Sequence, residues 1–231
     1  MDRFGLIGFP IEHSKSPELF CAAYNGKYTY ELIEEEDFNK AWQRFIKGPY
    51  KAINVTAPFK GDAARMADYA DNAVLDTGAA NILIKTKEGI AAYNSDYLGV
   101  QMLLRKYAKG LKDVLVIGGG GAGKAARAAS ESLGYETKAL RHNELKDGAQ
   151  AEVVIFTLPR ASEGCDRIKA KILIEANYRD PAFGEGRIAV PKNCKYIAGM
   201  EWLVAQAVCG YELMCGEKPD EENLNKCINL R

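Results

Sequence analysis

Two hydroxyl side chains stand two residues apart at the start of a stretch with helical spacing. They are Ser14 and Ser16, and Pro17 follows directly. Serine before proline favours a helix start in which Ser16 is the N-cap. Because helix N-termini bind anions, the pair is typical of a carboxylate site. The alternative is that both serines only cap the helix.

Two ionisable side chains are placed as catalytic groups often are. Lys60 begins a predicted helix over 60–69, where its charge opposes the helix dipole. Asp96 follows the apolar run 89–93 and could cap the next helix. A lysine ammonium can protonate and stabilise a developing oxyanion. The alternatives are a solvated lysine and a simple helix cap.

A glycine cluster follows the apolar run Val114–Ile117 and opens an alanine-rich helix. It contains G-x-G-x-x-G, in which the first glycine permits a tight turn and the second permits close approach of a pyrophosphate. The third permits close packing of helix on strand, so the context predicts a dinucleotide site, with a plain tight turn as the alternative. The predicted cofactor-binding residues of this loop are Gly118, Gly119, Gly120, Gly121, Ala122 and Gly123.

Arg141 follows the next predicted strand, 136–140, where NAD proteins usually place a carboxylate for the ribose. Residues 139–143 contain no Asp or Glu. A guanidinium can pair with a 2′-phosphate, so the predicted cofactor is NADP (NADPH). The alternative is a solvated arginine.

Short apolar runs alternate with helical stretches along the whole chain, which is typical of βαβ units. The predicted fold class is a two-domain α/β protein. Its N-terminal substrate domain has a mixed sheet, and its cofactor domain is Rossmann-like with a parallel sheet. The predicted substrate-binding and catalytic domain is 1–96, joined by C-terminal helices in 203–231, and the NADP-binding domain is 97–202.

Composition excludes several classes of function. The 231 residues carry 31 Lys and Arg against 31 Asp and Glu, a balance that argues against binding to nucleic acid or to a membrane surface. The six cysteines form no C-x-x-C pair, so no metal site is predicted and reduced thiols are expected. No secretory signal or long apolar run is evident. We therefore predict a soluble cytoplasmic protein, monomer or homodimer, acting on a small molecule.

Six motifs occur in one order along almost the whole chain. They are G-x-P-I-x-H-S-x-S-P at 8–17, N-V-T-x-P-F-K at 54–60, G-A-x-N at 78–81, N-x-D-x-x-G at 94–99, the glycine loop at 118–123 and L-V-x-Q-A at 203–207. In these motifs the chain resembles the shikimate dehydrogenase family. The resemblance implies a reversible NADPH-dependent reduction of 3-dehydroshikimate to shikimate, in aromatic amino-acid biosynthesis.

The resemblance also implies roles for individual residues. Lys60 and Asp96 would be the catalytic pair. The implied substrate-binding residues are Ser14, Ser16, Thr56, Asn81, Tyr178 and Gln206. The implied cofactor-binding residues outside the glycine loop are Arg141, Thr157 and Gly199.

The chain departs from the family pattern in its cofactor half. Arg141 lacks the polar neighbours that the family has there, and Thr157 alone remains of its stretch. Only 15 residues separate these two positions, so we expect a shortened cofactor domain. Two alternatives stay open: a quinate/shikimate dehydrogenase that uses NAD, and a shikimate-binding protein with an impaired cofactor site.

Overall fold

The chain divides into two compact units in the computed structural model, which describes residues 2–229. The first unit takes up the chain as far as Ser95 and resumes at Ala207, and the second runs from Asp96 to Gln206. The assignment of substrate and cofactor roles to particular domains stays a prediction. None of the helices within residues 2–229 has the length and apolar character needed to cross a bilayer.

A six-stranded mixed sheet forms the first unit. Its strands are β1 (Arg3–Gly8), β2 (Thr29–Glu34), β3 (Tyr50–Val55), β4 (Tyr69–Ala70), β5 (Ile82–Lys85) and β6 (Ile90–Tyr93). Their order across the sheet is β2-β1-β3-β5-β6-β4. Strand β1 runs parallel to β2 and β3, whereas β5 is antiparallel to β3 and β6. The three adjacent parallel strands bring the carboxyl ends of β1 and β3 to one edge.

Short helices connect these strands. They are α1 (Ser16–Ala23), α2 (Phe38–Lys47), α3 (Lys60–Met66) and α4 (Asn72–Thr77). Asp37 caps α2, since its carboxylate accepts from the Lys40 N–H at 3.0 Å. The buried face of α2 packs on β1–β3 side chains such as Ile7 and Ile53.

The prediction of one helix over 60–69 is wrong. Helix α3 ends at Met66, and the next two-residue strand pairs with β6. Asp71 then caps α4 by accepting from the Val74 N–H at 2.9 Å. Pairing with β6 decides the local structure here, against the helical spacing of the sequence.

The second unit contains a five-stranded parallel sheet. Its strands are β7 (Asp113–Ile117), β8 (Glu136–Leu140), β10 (Val153–Phe156), β12 (Ile172–Glu175) and β13 (Lys195–Ile197), in the order β13-β12-β10-β7-β8. The strands β9 (Ala149–Gln150) and β11 (Ile168–Lys169) form a separate parallel pair. The helices are α5 (Ser95–Tyr107), α6 (Gly121–Ser132) and α7 (Gly199–Cys215), and the boundary between the units falls within α7. Helix α8 (Glu221–Asn229) follows in the first unit. The predicted fold class is confirmed.

The link from β8 to β10 is short, as expected from the sequence. It holds a 3₁₀ turn at His142–Glu144 and the two residues of β9. Helix α6 contacts β7, β8 and β10. In one buried cluster, strand residues such as Leu115 and Phe156 pack against side chains from the segments that connect the strands, among them Leu145 and Phe183.

Candidate active site

The two serines lie together at the start of α1. The Ser14 Oγ accepts from the Ser16 N–H at 3.2 Å, and the two hydroxyl oxygens are 3.1 Å apart. The N-cap of α1 is Lys15, so the prediction that Ser16 is the N-cap is wrong. Because the Ser14 hydroxyl accepts from the Ser16 N–H, the N-cap lies at Lys15, one residue before Ser16. Both side chains are partly exposed beside a helix N-terminus, where an anion is favoured.

The loop that carries the serines packs closely on the loop after β3. A Cβ added to Gly8 would overlap the methyl carbons of Thr56 and Ile11, so only glycine permits this approach. The Thr56 N–H donates to Ile7 O at 2.9 Å, and the Ile11 N–H donates to the Glu34 carboxylate at 3.2 Å. Thr56 therefore lies at the carboxyl end of β3, next to the serine loop.

Lys60 and Asn81 are joined through the backbone. Lys60 is the first residue of α3, and its carbonyl accepts from the Ala80 N–H at 2.8 Å. Asn81 is buried, with its Nδ2 donating to Ser95 Oγ at 3.1 Å and its Oδ1 accepting from the Ser95 N–H at 2.7 Å. These segments of the first unit thus carry four kinds of polar group: hydroxyls, an amide, an ammonium and backbone amides.

The glycine loop of the second unit has the geometry that its sequence predicts. Gly118 has φ of +118°, a conformation that favours glycine, and a Cβ there would overlap Thr157 Oγ1. A Cβ on Gly123 would overlap the Gly118 carbonyl oxygen. By contrast, nothing lies within 4 Å of a Cβ built on Gly119 or Gly120. The loop is therefore tight on its inner side and open on its outer side.

Thr157 meets this loop across the sheet. Its Oγ1 donates to Ile117 O at 2.9 Å, and its N–H donates to the same oxygen at 2.8 Å. Strand β7 lies between β8 and β10, so the chain reverses direction across the sheet at this point. Ligands of open α/β sheets bind beyond the carboxyl ends of the strands at such a reversal.

Arg141 is exposed at the carboxyl end of β8. Its backbone N–H donates to the Glu144 carboxylate at 2.7 Å, and the Glu144 N–H donates to the Arg141 carbonyl at 3.0 Å. The 3₁₀ turn thus brings the Glu144 carboxylate back beside the end of β8. The sequence analysis had placed only the Arg141 guanidinium there.

Tyr178 and Gly199 lie side by side in the second unit. Tyr178 follows β12 and is partly exposed, and a Cβ on Gly199 would overlap the backbone of Asn177 and Tyr178. The fully buried carboxylate of Glu175 supports this loop by accepting from Ala182 N–H at 2.5 Å.

The same carboxylate accepts from the Tyr196 hydroxyl at 2.5 Å. Burial first, and this hydrogen bond second, raise the pKa of the Tyr196 phenol above its usual range. Glu175 is a buried carboxylate that the sequence analysis did not single out, since it ends an otherwise apolar strand.

Asp96 and Gln206 belong to helices. Helix α5 begins at Ser95, so Asp96 lies inside its first turn rather than at the N-cap, which corrects the expectation of a cap. A Cβ on Gly99 would overlap the backbone of Gln206, so this glycine permits close approach of α5 and α7. Lys60 and Asp96 fall in different units, and their action as a pair stays a prediction.

Comparisons with known proteins give matches over most of the chain. A model of the shikimate dehydrogenase substrate binding domain matches residues 6–83. The shikimate dehydrogenase (NADP(+)) of Ignicoccus hospitalis is 30% identical over 260 residues, which cover 94% of this chain and 94% of that protein. This chain belongs to the shikimate dehydrogenase family. The resemblance stated from the sequence motifs is confirmed.

Other matches cover different shares of this chain and of the related proteins. The shikimate dehydrogenase (NADP(+)) of Aquifex aeolicus is 35% identical over 130 residues, which cover 53% of this chain. In that alignment the chain spans about half, 48%, of the relative's length. The solved structure of shikimate 5-dehydrogenase from Thermus thermophilus with NADP(H) and shikimate shares the fold. It has a TM-score of 0.84 and 21% identity, covering 100% of this chain and 99% of that one.

The family's dinucleotide cofactor fits the glycine loop as the structure has it. The inner side of the loop excludes side chains, and its outer side leaves room for phosphates beside the N-terminus of the 12-residue helix α6. Among residues 2–229, His, Cys, Asp and Glu side chains form no group of three or more that could hold a metal ion.

Two polar side chains of the first unit were missed by the sequence analysis as site residues. The Tyr30 hydroxyl donates to Asn54 Oδ1 at 2.8 Å, and Asn54 Nδ2 donates to Asn81 O at 3.3 Å. Tyr30 stands in an apolar run without any local signal. Asn54 begins the N-V-T-x-P-F-K motif, which was the one available indication of a role.

Proposed function

We propose that this chain is an enzyme that reversibly reduces 3-dehydroshikimate to shikimate with NADPH. The observation that carries the proposal is the polar group of the first unit, which lies within the stretch that matches the family's substrate-binding domain. The open glycine loop supports the cofactor half of the proposal. The place in aromatic amino-acid biosynthesis follows from this substrate and product.

Each group in the first unit has a task that suits its chemistry. The Ser14 and Ser16 hydroxyls and the start of α1 bind the carboxylate of the substrate. Thr56 and the Asn81 amide bind ring hydroxyls. The Lys60 ammonium donates a proton to the carbonyl oxygen as it becomes an alkoxide, and stabilises its charge before the transfer.

The second unit supplies the remaining groups in this proposal. The residues Gly118–Gly123 bind the pyrophosphate through backbone N–H groups, and Arg141 pairs with a 2′-phosphate. When bound, the reduced nicotinamide supplies the hydride. Thr157 and Gly199 shape the cofactor site, Tyr178 and Gln206 contact the substrate, and Asp96 orients the lysine and a substrate hydroxyl.

One observation favours the use of NAD, which is one part of the second candidate, a quinate/shikimate dehydrogenase that uses NAD. The Glu144 carboxylate lies beside the Arg141 N–H, near the position from which a carboxylate would accept the ribose hydroxyls of NAD. A carboxylate there disfavours a 2′-phosphate through charge repulsion. Cytoplasmic location and a monomeric or homodimeric state stay predictions.

A four-way kinetic comparison tests the proposal. Purified protein is mixed with shikimate or quinate and with NADP⁺ or NAD⁺, and the absorbance of the reduced nicotinamide is recorded. The proposal expects the highest kcat/KM with shikimate and NADP⁺. Turnover preferring NAD⁺ or quinate supports the second candidate. Shikimate binding without turnover or cofactor binding supports the shikimate-binding protein, and no shikimate binding rejects the substrate.

A further inference from the structure

An ordered run of hydrogen bonds links the serine pair to Asn81 in the first unit. The Ser14 hydroxyl lies against Ser16 Oγ, and the Ser16 hydroxyl hydrogen-bonds the Tyr30 phenol. Tyr30 donates onward to Asn54 Oδ1 at 2.8 Å, and Asn54 Nδ2 donates to Asn81 O at 3.3 Å. Tyr30 is thus the bridge between the group that would bind the carboxylate and the group that would bind the ring.

Packing fixes the ring of Tyr30 in this place. Its centroid lies 4.6 Å from that of Phe20 on α1, and Phe20 in turn packs edge-on against Tyr211 at 4.9 Å. The parallel register places Tyr30 opposite Phe4 and Asn54 opposite Leu6. Both side chains therefore rise from the same face of the sheet.

The chemistry of a phenol suits this bridge. In the free protein the phenol oxygen accepts from Ser16 while its proton goes to Asn54, and when a carboxylate takes the Ser16 proton the phenol can turn its own proton to Ser16 Oγ. Burial raises the pKa of the Tyr30 phenol well above its usual range, so the hydroxyl keeps its proton across the working pH. Asn54 cannot turn its amide without losing one of two hydrogen bonds. The position of the Ser16 oxygen is therefore set before a substrate arrives, while its proton can still turn to the carboxylate.

We propose that Tyr30 is a positioning residue that fixes Ser16 for the substrate carboxylate and ties it to Asn54 and Asn81. The proposal rests on the proposed function. The carboxylate does not change during the reduction, so Tyr30 contributes to ground state and transition state equally. Its loss should raise KM and leave kcat almost unchanged.

The first test compares Tyr30→Phe with Tyr28→Phe. Both changes remove one phenol hydroxyl, but Tyr28 donates to Glu217 at 2.9 Å instead of to the serine group. We expect Tyr30→Phe to raise KM and the calorimetric Kd for shikimate about tenfold, the value of one charge-assisted hydrogen bond, with kcat within about threefold. Tyr28→Phe should leave KM and Kd unchanged.

A double-mutant cycle tests whether Tyr30 acts through Ser16. If it does, adding Tyr30→Phe to Ser16→Ala should raise KM by no more than about twofold further. The shikimate amide provides a second readout. Tyr30→Phe should weaken the binding of shikimate more than that of the neutral amide, which a general loss of packing would not do.

The outcomes separate this proposal from the proposed function. An active wild type with Tyr30→Phe within twofold of its KM, or with fully additive effects in the cycle, overturns the role of Tyr30 alone. A wild type that neither binds nor turns over shikimate overturns the proposed function together with this inference. If Tyr30→Phe does not fold, Asn54→Ser replaces it, since it breaks the same link from the other side.

Discussion

Replacement of Gly123 by alanine should disrupt the dinucleotide site. The new Cβ would overlap the Gly118 carbonyl oxygen and lie 3.0 Å from Thr157 Oγ1. Because a relaxed carbon–oxygen contact is about 3.4 Å, helix α6 and the loop must move apart by roughly 1 Å. Overpacking of this kind costs about 1–3 kcal/mol.

The displaced loop no longer presents its N–H groups to the phosphates in the right geometry. If the whole cost falls on the bound state, the Kd for NADP⁺ rises about 5- to 150-fold. If it falls on the fold, Tm drops by about 2–4 °C for each kcal/mol in a chain of this length. Calorimetry with NADP⁺ and thermal unfolding of the same samples measure both parts.

Gly119→Ala is the matched control. It adds the same atom to the same loop, at a position where nothing lies within 4 Å and where the motif accepts any residue. Its Kd for NADP⁺ should stay within about threefold of wild type, since no contact within the protein is strained and the backbone N–H groups that bind the phosphates keep their places. Equal Kd and Tm values for the two variants would refute the reasoning about the tight inner side of the loop.

Three more changes have definite expected results. Lys60→Ala should lower kcat by about 10²- to 10⁴-fold in the NADPH assay while shikimate binding persists, and a loss below threefold would assign the proton donor elsewhere. Burial raises the pKa of the Cys215 thiol from 9.0 to about 11, so the unfolded chain ionises first and stability falls as pH rises from 9 to 11. The Tm of wild type should therefore fall more across this window than that of Cys215→Ala, and parallel curves would contradict the assignment. Glu175→Ala should lower the free energy of unfolding in urea by about 2–4 kcal/mol, because two donors lose their acceptor, whereas the exposed Glu185→Ala should change it little.

The elements that were predicted well are those whose structure is decided locally. The run Val114–Ile117 lies within one residue of its predicted bounds, since buried parallel strands are apolar throughout. The strand Glu136–Leu140 also has its predicted bounds, although it is polar and largely exposed. The glycine loop belongs to the same group. Its turn and its helix start are set by residues within ten positions of one another.

The features that were missed depend on pairing between distant segments. Tyr69 is the last residue of the predicted helix, yet Tyr69 and Ala70 pair with Ala91 and Ala92. The placement of Tyr30 follows in the same way from the register of β2 on β1. No property of an isolated tyrosine in an apolar run indicates that its hydroxyl will reach Asn54.

The shortened link between β8 and β10 has a consequence for the order in which the second unit folds. Helix α6 follows β7 directly, so its contacts with that strand form over short loops. The cluster around Leu115 instead recruits Leu145, Cys165 and Phe183 from three separate connections. Each of these requires closure of a longer loop, which is slow. The side covered by α6 should therefore form early, and the side covered by the connections should be completed last and open first.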